Sequence, residues 1–330
     1  MKKALVTGAA GFIGSNVVRE LLNEGVGVRA LVRPGESQRN LEGLDVERME
    51  GDVLDPARLR KAVQGCDTLF HLAAIYTFWS ADPRQIYEVN IRGTNYMLMT
   101  AREAGVERIV VTSSIAAIGL EPGRTPATEE TPFNWFRHKI DYVLTKYLSE
   151  MNALDMAQFG LPVVVVNPAF PFGPGDITPT PTGRIVVDVV NGKFPGYIDA
   201  GIMAVDVRDV ARGHVLAAMK GRVGEKYILG NENRTVKEMV ERIAQVAGVK
   251  IRLRKLPKAV MFGYGWAAER IADHVTHREP LLTYAAAQTS AKFCYFDSTK
   301  ARTELGLTFR PLDDTIRDAI AWFRSIGMIK

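Results

Sequence analysis

Residues 5–14, Leu-Val-Thr-Gly-Ala-Ala-Gly-Phe-Ile-Gly, constrain this chain more than any other stretch. Ala4, Leu5 and Val6 form an apolar run short enough for a buried strand. Three glycines follow at a spacing of three, and then Ile13, Val17, Val18, Leu21 and Leu22 repeat with a helical period as far as Gly25. A strand that turns through glycines into a helix N-terminus makes a phosphate cradle. Gly8 permits the tight turn, Gly11 lets backbone approach a pyrophosphate, and Gly14 lets the helix pack on the strand. The unpaired amides at the helix start, those of Phe12, Ile13 and Gly14, then meet the phosphates at the positive end of the helix dipole. The glycines alone would be a weak signal; the flanking strand and helix make them a dinucleotide-binding signature.

The same alternation continues through the first half. Strands are predicted at residues 28–32, 46–50, 68–72, 109–112 and 163–166, with helices at 56–64, 84–104 and 138–159. Short apolar runs separated by helices mean a Rossmann-type, doubly wound parallel α/β sheet buried on both faces. From Pro168 onward, prolines crowd a long loop and the pattern turns irregular. The expected organisation is a dinucleotide-binding domain over residues 1–168 and a smaller mixed α/β substrate lobe over 169–330. Parts of 202–225 and 288–310 are expected to return to the first domain. Thr235-Val-Lys-Glu238 is a capping box opening a helix to Ala247, a reading preferred to a glycosylation sequon at Asn233-Arg-Thr235.

Composition narrows the class. With 47% hydrophobic and 24% charged residues, the chain has the make-up of an ordinary soluble protein. The net charge of +5 is scattered along helices where Lys and Arg alternate with Glu, so no nucleic-acid partner is expected. No apolar run approaches the roughly 18 residues of a membrane span. The apolar stretch 260–271 reads as a lobe-surface helix and not as a membrane anchor. Cys66 and Cys294 form no disulfide framework and no cleavable leader is read, so a cytoplasmic location is expected. His274 and His277 lack partners at metal-site spacing, and no metal is expected.

A second constellation carries chemistry. Tyr142 and Lys146 stand four apart in a helical stretch and project from one face. A free phenol titrates at about 10; an ammonium one turn away favours the phenolate and suits the tyrosine to proton transfer. Ser113 and Ser114 lie at the carboxyl end of the predicted strand 109–112, where open α/β sheets collect ligands. A hydroxyl there can hold a substrate carbonyl while the tyrosine handles the proton. Tyr76, Phe78 and Trp79, then Phe133, Trp135 and Phe136, then Phe170 and Phe172, leave strand ends or lead into the Tyr142 helix. They predict a largely apolar pocket for an aromatic or bulky carbonyl compound. The end of the second strand, where NAD-binding versions of this fold carry an acid, is Arg33, followed by Ser37 and Arg39. A guanidinium suits a 2′-phosphate and a carboxylate repels it, so NADP(H) is expected. Glu36, the nearest acid, is expected to face solvent.

Thr7-Gly-x-x-Gly-x-x-Gly14, Gly51-Asp-Val53, His71-Leu-Ala-Ala74, Val89-Asn-x-x-Gly-Thr94, Thr112-Ser-Ser114 and Tyr142-x-x-x-Lys146 together resemble the extended short-chain dehydrogenase/reductase superfamily, the NAD-dependent epimerases and dehydratases. The resemblance runs through nearly the whole chain. Within that superfamily the chain is most similar to dihydroflavonol 4-reductase-like enzymes and to the hopanoid-associated sugar epimerase branch, through 141–146, 179–186 and 224–230. The resemblance implies that Ser114 orients the carbonyl, Tyr142 acts as acid and base, and Lys146 holds the nicotinamide ribose and lowers the tyrosine's pKa. It further implies that Asp52 contacts the adenine and Val53 packs on it. Leu72, Ala73 and Ala74 would pass the ribose-phosphate, Pro168 and Phe170 would border the nicotinamide, and Asn90 would serve structure. Phe170 and Asn167 stand where nucleotide-sugar epimerases carry asparagine and arginine, and Gly119 where plant dihydroflavonol reductases carry asparagine. The expected protein is an NADP(H)-dependent reductase of an apolar or aromatic ketone, homodimeric through helices 84–104 and 138–160. The alternatives are an NAD-dependent sugar epimerase or dehydratase, and a non-catalytic dinucleotide-sensing regulator.

Overall fold

The apolar runs of the first half become strands of one sheet in the computed structural model, which describes residues 1–278 and 280–330. β1 (Lys3–Thr7) leads through the glycine turn into α1 (Phe12–Asn23), and β2 (Gly27–Val32) and β3 (Glu47–Glu50) extend the sheet on one side. α2 (Pro56–Val63), capped by the Asp55 carboxylate, precedes β4 (Thr68–His71), which pairs with β1 on the other side. α3 (Arg84–Tyr87), a π-helical stretch Glu88–Gly93 and α4 (Thr94–Glu103) form one rod leading to β5 (Arg108–Thr112). α5 (Asp141–Gln158) then runs to β6 (Val163–Pro168).

The second half contributes β7 (Phe170–Phe172), α6 (Pro181–Val190), β8 (Gly201–Asp206), α7 (Val207–Lys220) and β9 (Lys226–Leu229). After these come β10 (Glu232–Thr235), α8 (Val236–Ala247), α9 (Lys258–Ile271), α10 (Tyr284–Ser290) and α11 (Leu312–Ser325). The large sheet is parallel throughout, in the order β3-β2-β1-β4-β5-β6-β9. Its strand order reverses between β1 and β4, which opens a crevice beyond their carboxyl ends. The central strands are buried almost throughout, and successive residues enter opposite cores. Ala4, Val6, Phe70, Val110 and Val164 enter one core with α1 and α7, while Leu5, Leu69, Ile109, Val111 and Val163 enter the other with α2, α4 and α5. A smaller sheet, β10-β8-β7, joins α6, α8 and α11 around Phe172, Val186, Ile243, Ile316 and Phe323.

Three local features depart from the expected elements. The helix predicted from 138 starts at Asp141, because Lys139 takes a left-handed backbone (φ 49°) through which no α-helix can pass. The rod predicted over 84–104 contains the π-helical stretch, which turns Asn90 inward. β9 is a strand of the large sheet that the sequence reading did not mark. The capping box at Thr235 and Glu238 forms in both directions. Among the described residues, no helix is long and apolar enough to cross a membrane.

Candidate active site

The glycine turn and the loop after β4 are pressed together across the switch point. Gly8 has a left-handed backbone (φ 66°), and a Cβ there would lie 2.9 Å from the Ala73 nitrogen. A Cβ on Gly14 would collide with the Gly8 carbonyl oxygen, so helix and turn approach only because Gly14 has no side chain. Gly11 heads α1, and no side chain caps the helix, which leaves its first amides to other partners.

A buried lock sits beneath the turn. Thr7 Oγ1 accepts from the Leu72 and Ala73 amides (3.1 Å each) and is 2.9 Å from His71 Nδ1. With both lone pairs taken, the hydroxyl must donate to Nδ1, so His71 carries its proton on Nε2 and donates to Thr94 Oγ1 at 3.0 Å. Thr94 in turn donates to the Asn90 carbonyl at 2.7 Å. Burial pushes His71 down to about 3, which keeps it neutral. Asn90 exchanges hydrogen bonds with the Ile75 backbone (2.7 and 3.0 Å) and donates to Thr145 Oγ1 at 3.1 Å, pinning the loop after β4 to α5.

At the end of β2, Arg33 is exposed and its guanidinium pairs with no carboxylate among the described residues. Glu36 is half-buried at the surface and has a backbone partner there. It folds back so that its carboxylate accepts from the Arg33 amide at 3.1 Å, because the turn at Pro34-Gly35 brings it over the strand end. The Asp52 carboxylate accepts from the Leu54 amide at 2.8 Å, and Val53 is buried where a Cβ on Gly93 would touch it. Asn40 Nδ2 donates to Ala10 (3.1 Å) and to Gly175 (2.9 Å), and so ties the glycine turn to the segment after β7. Glycine turn, uncapped helix start, neutral histidine lock and free guanidinium fit a dinucleotide.

Ser114, Tyr142 and Lys146 come together at the carboxyl end of β5. Ser114 Oγ is fixed by accepting from the Ala116 amide (3.1 Å) and hydrogen-bonds the Tyr142 hydroxyl. Lys146 donates to the Thr112 carbonyl at 2.7 Å. Burial pushes the Tyr142 phenol up to about 12, with the Ser114 hydrogen bond pulling the other way. The expected lowering of the phenol by Lys146 does not enter here: burial is the larger cause, Ser114 the opposing one, and the ammonium is engaged by the Thr112 carbonyl. Burial lowers Lys146 to about 8, and the charge of Glu150 opposes that shift.

Glu150 was not singled out in the sequence, although Tyr142, Lys146 and Glu150 share one helical stripe at successive spacings of four. It is 2% exposed and accepts from Asn167 Nδ2 (2.6 Å) and from Lys226 Nζ (3.1 Å). The same Asn167 nitrogen donates to the Ser114 carbonyl at 2.9 Å, so one amide joins Glu150 to the backbone of the serine. Ser113 Oγ and Asn167 Oδ1, both buried, have no hydrogen-bond partner among the described residues.

The predicted aromatic cluster divides. Tyr76 and Phe78 meet Tyr142 edge-on at 4.8 and 5.8 Å, and Trp135 joins them in an apolar wall with Ile140 and Val143. Phe133 packs on that wall and also stacks on Tyr147, Phe136 packs on Tyr147, and Phe172 is buried in the core of the small sheet. Phe170 bridges that core and the one beneath α1, next to Pro168, which is buried at the end of β6. Trp79 donates to Asp273 at 2.9 Å. His274 and His277 are exposed, and no group of three metal-ligating side chains occurs among the described residues.

The sequence profile of the NAD dependent epimerase/dehydratase family matches residues 4–230. A Synechocystis protein with the provisional name dihydroflavonol 4-reductase is 37% identical over 329 residues, covering 98% of this chain and 95% of that one. Sterol demethylase protein B of Methylococcus capsulatus is 34% identical over 326 residues, 98% of this chain and 99% of its own. The crystal structure of gox2253 superposes with a TM-score of 0.88 at 41% identity, each chain covered completely.

Proposed function

This chain belongs to the NAD-dependent epimerase/dehydratase family of extended short-chain dehydrogenases/reductases, an NAD(P)-dependent oxidoreductase, and from that premise we propose that it reduces an apolar ketone with NADP(H). The observation that carries the reading is the Ser114–Tyr142–Lys146 cluster set against the wall of Phe78, Trp135, Ile140 and Val143. Ser114 and Tyr142 hold the carbonyl oxygen of the substrate. Tyr142, a phenol kept protonated by its burial, gives its proton to that oxygen as it gains negative charge. Lys146 faces the phenolate left behind with a positive charge, and Glu150 keeps that charge in place. A bound nicotinamide supplies the hydride. Phe12, Ile13 and Gly14 would hold its pyrophosphate, Asp52 and Val53 its adenine, Leu72, Ala73 and Ala74 its ribose-phosphate, and Pro168 and Phe170 would border its nicotinamide.

Arg33 supports the choice of NADP(H), since its unpaired guanidinium suits a 2′-phosphate. Titration of the protein with NADPH and NADH tests this. We expect tighter NADPH binding, and Arg33→Asp should reverse the preference, with NADPH binding about 10- to 100-fold weaker, the usual worth of charge-assisted hydrogen bonds. Equal or tighter NADH binding by the unaltered protein would overturn it. Glu36, folded onto the Arg33 amide, favours one second reading, an epimerase or dehydratase that retains NAD; NAD that co-purifies and survives dialysis would be its mark. Exposed Met99, Leu148 and Met151 on α4 and α5 support a homodimer through those helices, and buried, unpaired Cys66 and Cys294 suit the cytoplasm.

A further inference from the structure

α9 packs Met261 and Phe262 against Ile198, Ala200 and Ala291 and carries a second apolar face besides. Val260, Tyr264, Ala267 and Ile271 recur at spacings of four, three and four, which places them on one stripe. The stripe faces outward: Val260 is 62%, Tyr264 51% and Ile271 52% exposed, and Trp266 beside it is 57% exposed. Gly265 is the buried residue of α9, and a Cβ there would lie 2.9 Å from the Thr283 carbonyl oxygen, so the helix is held by close backbone approach to the start of α10. Exposed apolar side chains continue past the helix at Val275 and Leu281. An apolar surface this continuous marks an interaction site.

Its flank is basic. Residues 250–258, Lys-Ile-Arg-Leu-Arg-Lys-Leu-Pro-Lys, contain five Lys and Arg and no acid. Ile251 and Leu253 pack into the lobe core while Arg252 and Arg254 are exposed, so the alternation turns the guanidinium groups outward. Over 250–278 seven Lys and Arg face two acids, Glu269 and Asp273, an excess equal to the net charge of the whole chain.

We propose that this face docks on an anionic lipid surface, with the apolar stripe of α9 at the acyl boundary and residues 250–258 among the headgroup phosphates. An apolar stripe edged by Trp, Tyr and Lys/Arg is the composition of an interfacial helix, and the basic run supplies attraction to anionic lipid. A second copy of the chain is the alternative occupant, and the test below separates it from lipid. α10 and the turn after α9 also reach the candidate site. Trp79 donates to Asp273, and Ala285 of α10 packs with Phe78, Trp135 and Tyr142. The docking does not rest on the substrate proposed above.

Flotation of the full-length protein with vesicles, without substrate, tests the proposal independently of the reductase reading. The protein should float with phosphatidylcholine vesicles containing phosphatidylglycerol and remain below with phosphatidylcholine alone. Combining Val260→Glu with Ile271→Glu should lower the partition at least about tenfold, and Arg252→Gln or Arg254→Gln about fivefold each. Raising the salt from about 0.1 M to about 1 M should do likewise. Unchanged thermal midpoints in these variants would show that the fold is intact. No flotation on anionic vesicles, or equal flotation of the Val260→Glu/Ile271→Glu variant, would overturn the proposal. So would a dimer that this variant dissociates without any lipid binding.

Discussion

Helices α5 and α9 break the inside-out rule in opposite senses. α5 buries Tyr142, Thr145, Lys146, Ser149 and Glu150, a polar face turned inward, whereas α9 turns Val260, Tyr264 and Ile271 outward. The buried polar face is tolerable because it is nearly saturated with partners: Ser114 for Tyr142, Thr112 for Lys146, Asn167 and Lys226 for Glu150. The exposed apolar face has no such compensation within the chain. Local violations of folding logic concentrate where a sequence serves function, and the two helices show that a polar and an apolar violation leave different traces. One is a web of short hydrogen bonds, the other an uncovered surface.

The comparison is most sharply tested at the polar end. Tyr142→Phe preserves the ring that packs on Tyr76 and Phe78 but removes the proton, so turnover should fall at least about 100-fold while dinucleotide affinity is kept. Turnover close to that of the unaltered enzyme would take Tyr142 out of the mechanism.

A smaller effect is expected from Glu150→Gln, read from the pH profile of ketone reduction. Lys146, lowered to about 8, is charged below that pH and neutral above it, so reduction should decline as pH rises through about 8. Glu150 holds Lys146 up, and the glutamine should move this decline to lower pH, costing roughly tenfold above the limb for each unit moved. A profile that does not move would leave Glu150 a structural role alone.

At the apolar end the expected effect is close to nothing. Ile271→Ser removes an exposed side chain that the fold does not use, so stability by denaturant unfolding should stay within about 0.5 kcal/mol. A loss several times larger would mean that Ile271 itself packs against the rest of the chain.

What the sequence disclosed follows the range of the forces involved. The short apolar strands and the Gly8–Gly14 turn were legible because local sterics and burial on both sheet faces dictate them. Ser114, Tyr142 and Lys146 were legible because one helical turn and one strand end bring them together. The Glu150–Asn167–Lys226 contact was not, since it joins α5, β6 and β9, and β9 enters the sheet from far along the chain. The contact of Glu36 with the Arg33 amide was not legible, since it depends on how the two-residue Pro34-Gly35 turn aims the side chain. Chain position groups the aromatic residues in one pocket, but position does not tell which face of α5 a ring reaches, and Phe136 packs on Tyr147 while Phe133 reaches both Tyr147 and the wall. The outward apolar stripe of α9 is visible in its spacing, yet spacing does not say which stripe is covered.

The histidine lock beneath the glycine turn has a consequence for proton linkage. His71 accepts from Thr7 only while uncharged, and burial keeps it so down to about pH 3. In the unfolded chain the same imidazole takes up its proton at about 6.5. Between those two values the unfolded state binds more protons than the native one, so folding stability is greatest above about pH 6.5 and declines as the pH falls below it. His214, buried and held at about 4 between Thr112 and Val210, adds to the same slope. Mild acid therefore draws on the dinucleotide half of the molecule at the ends of β4 and β5, the strand ends on which the site is built.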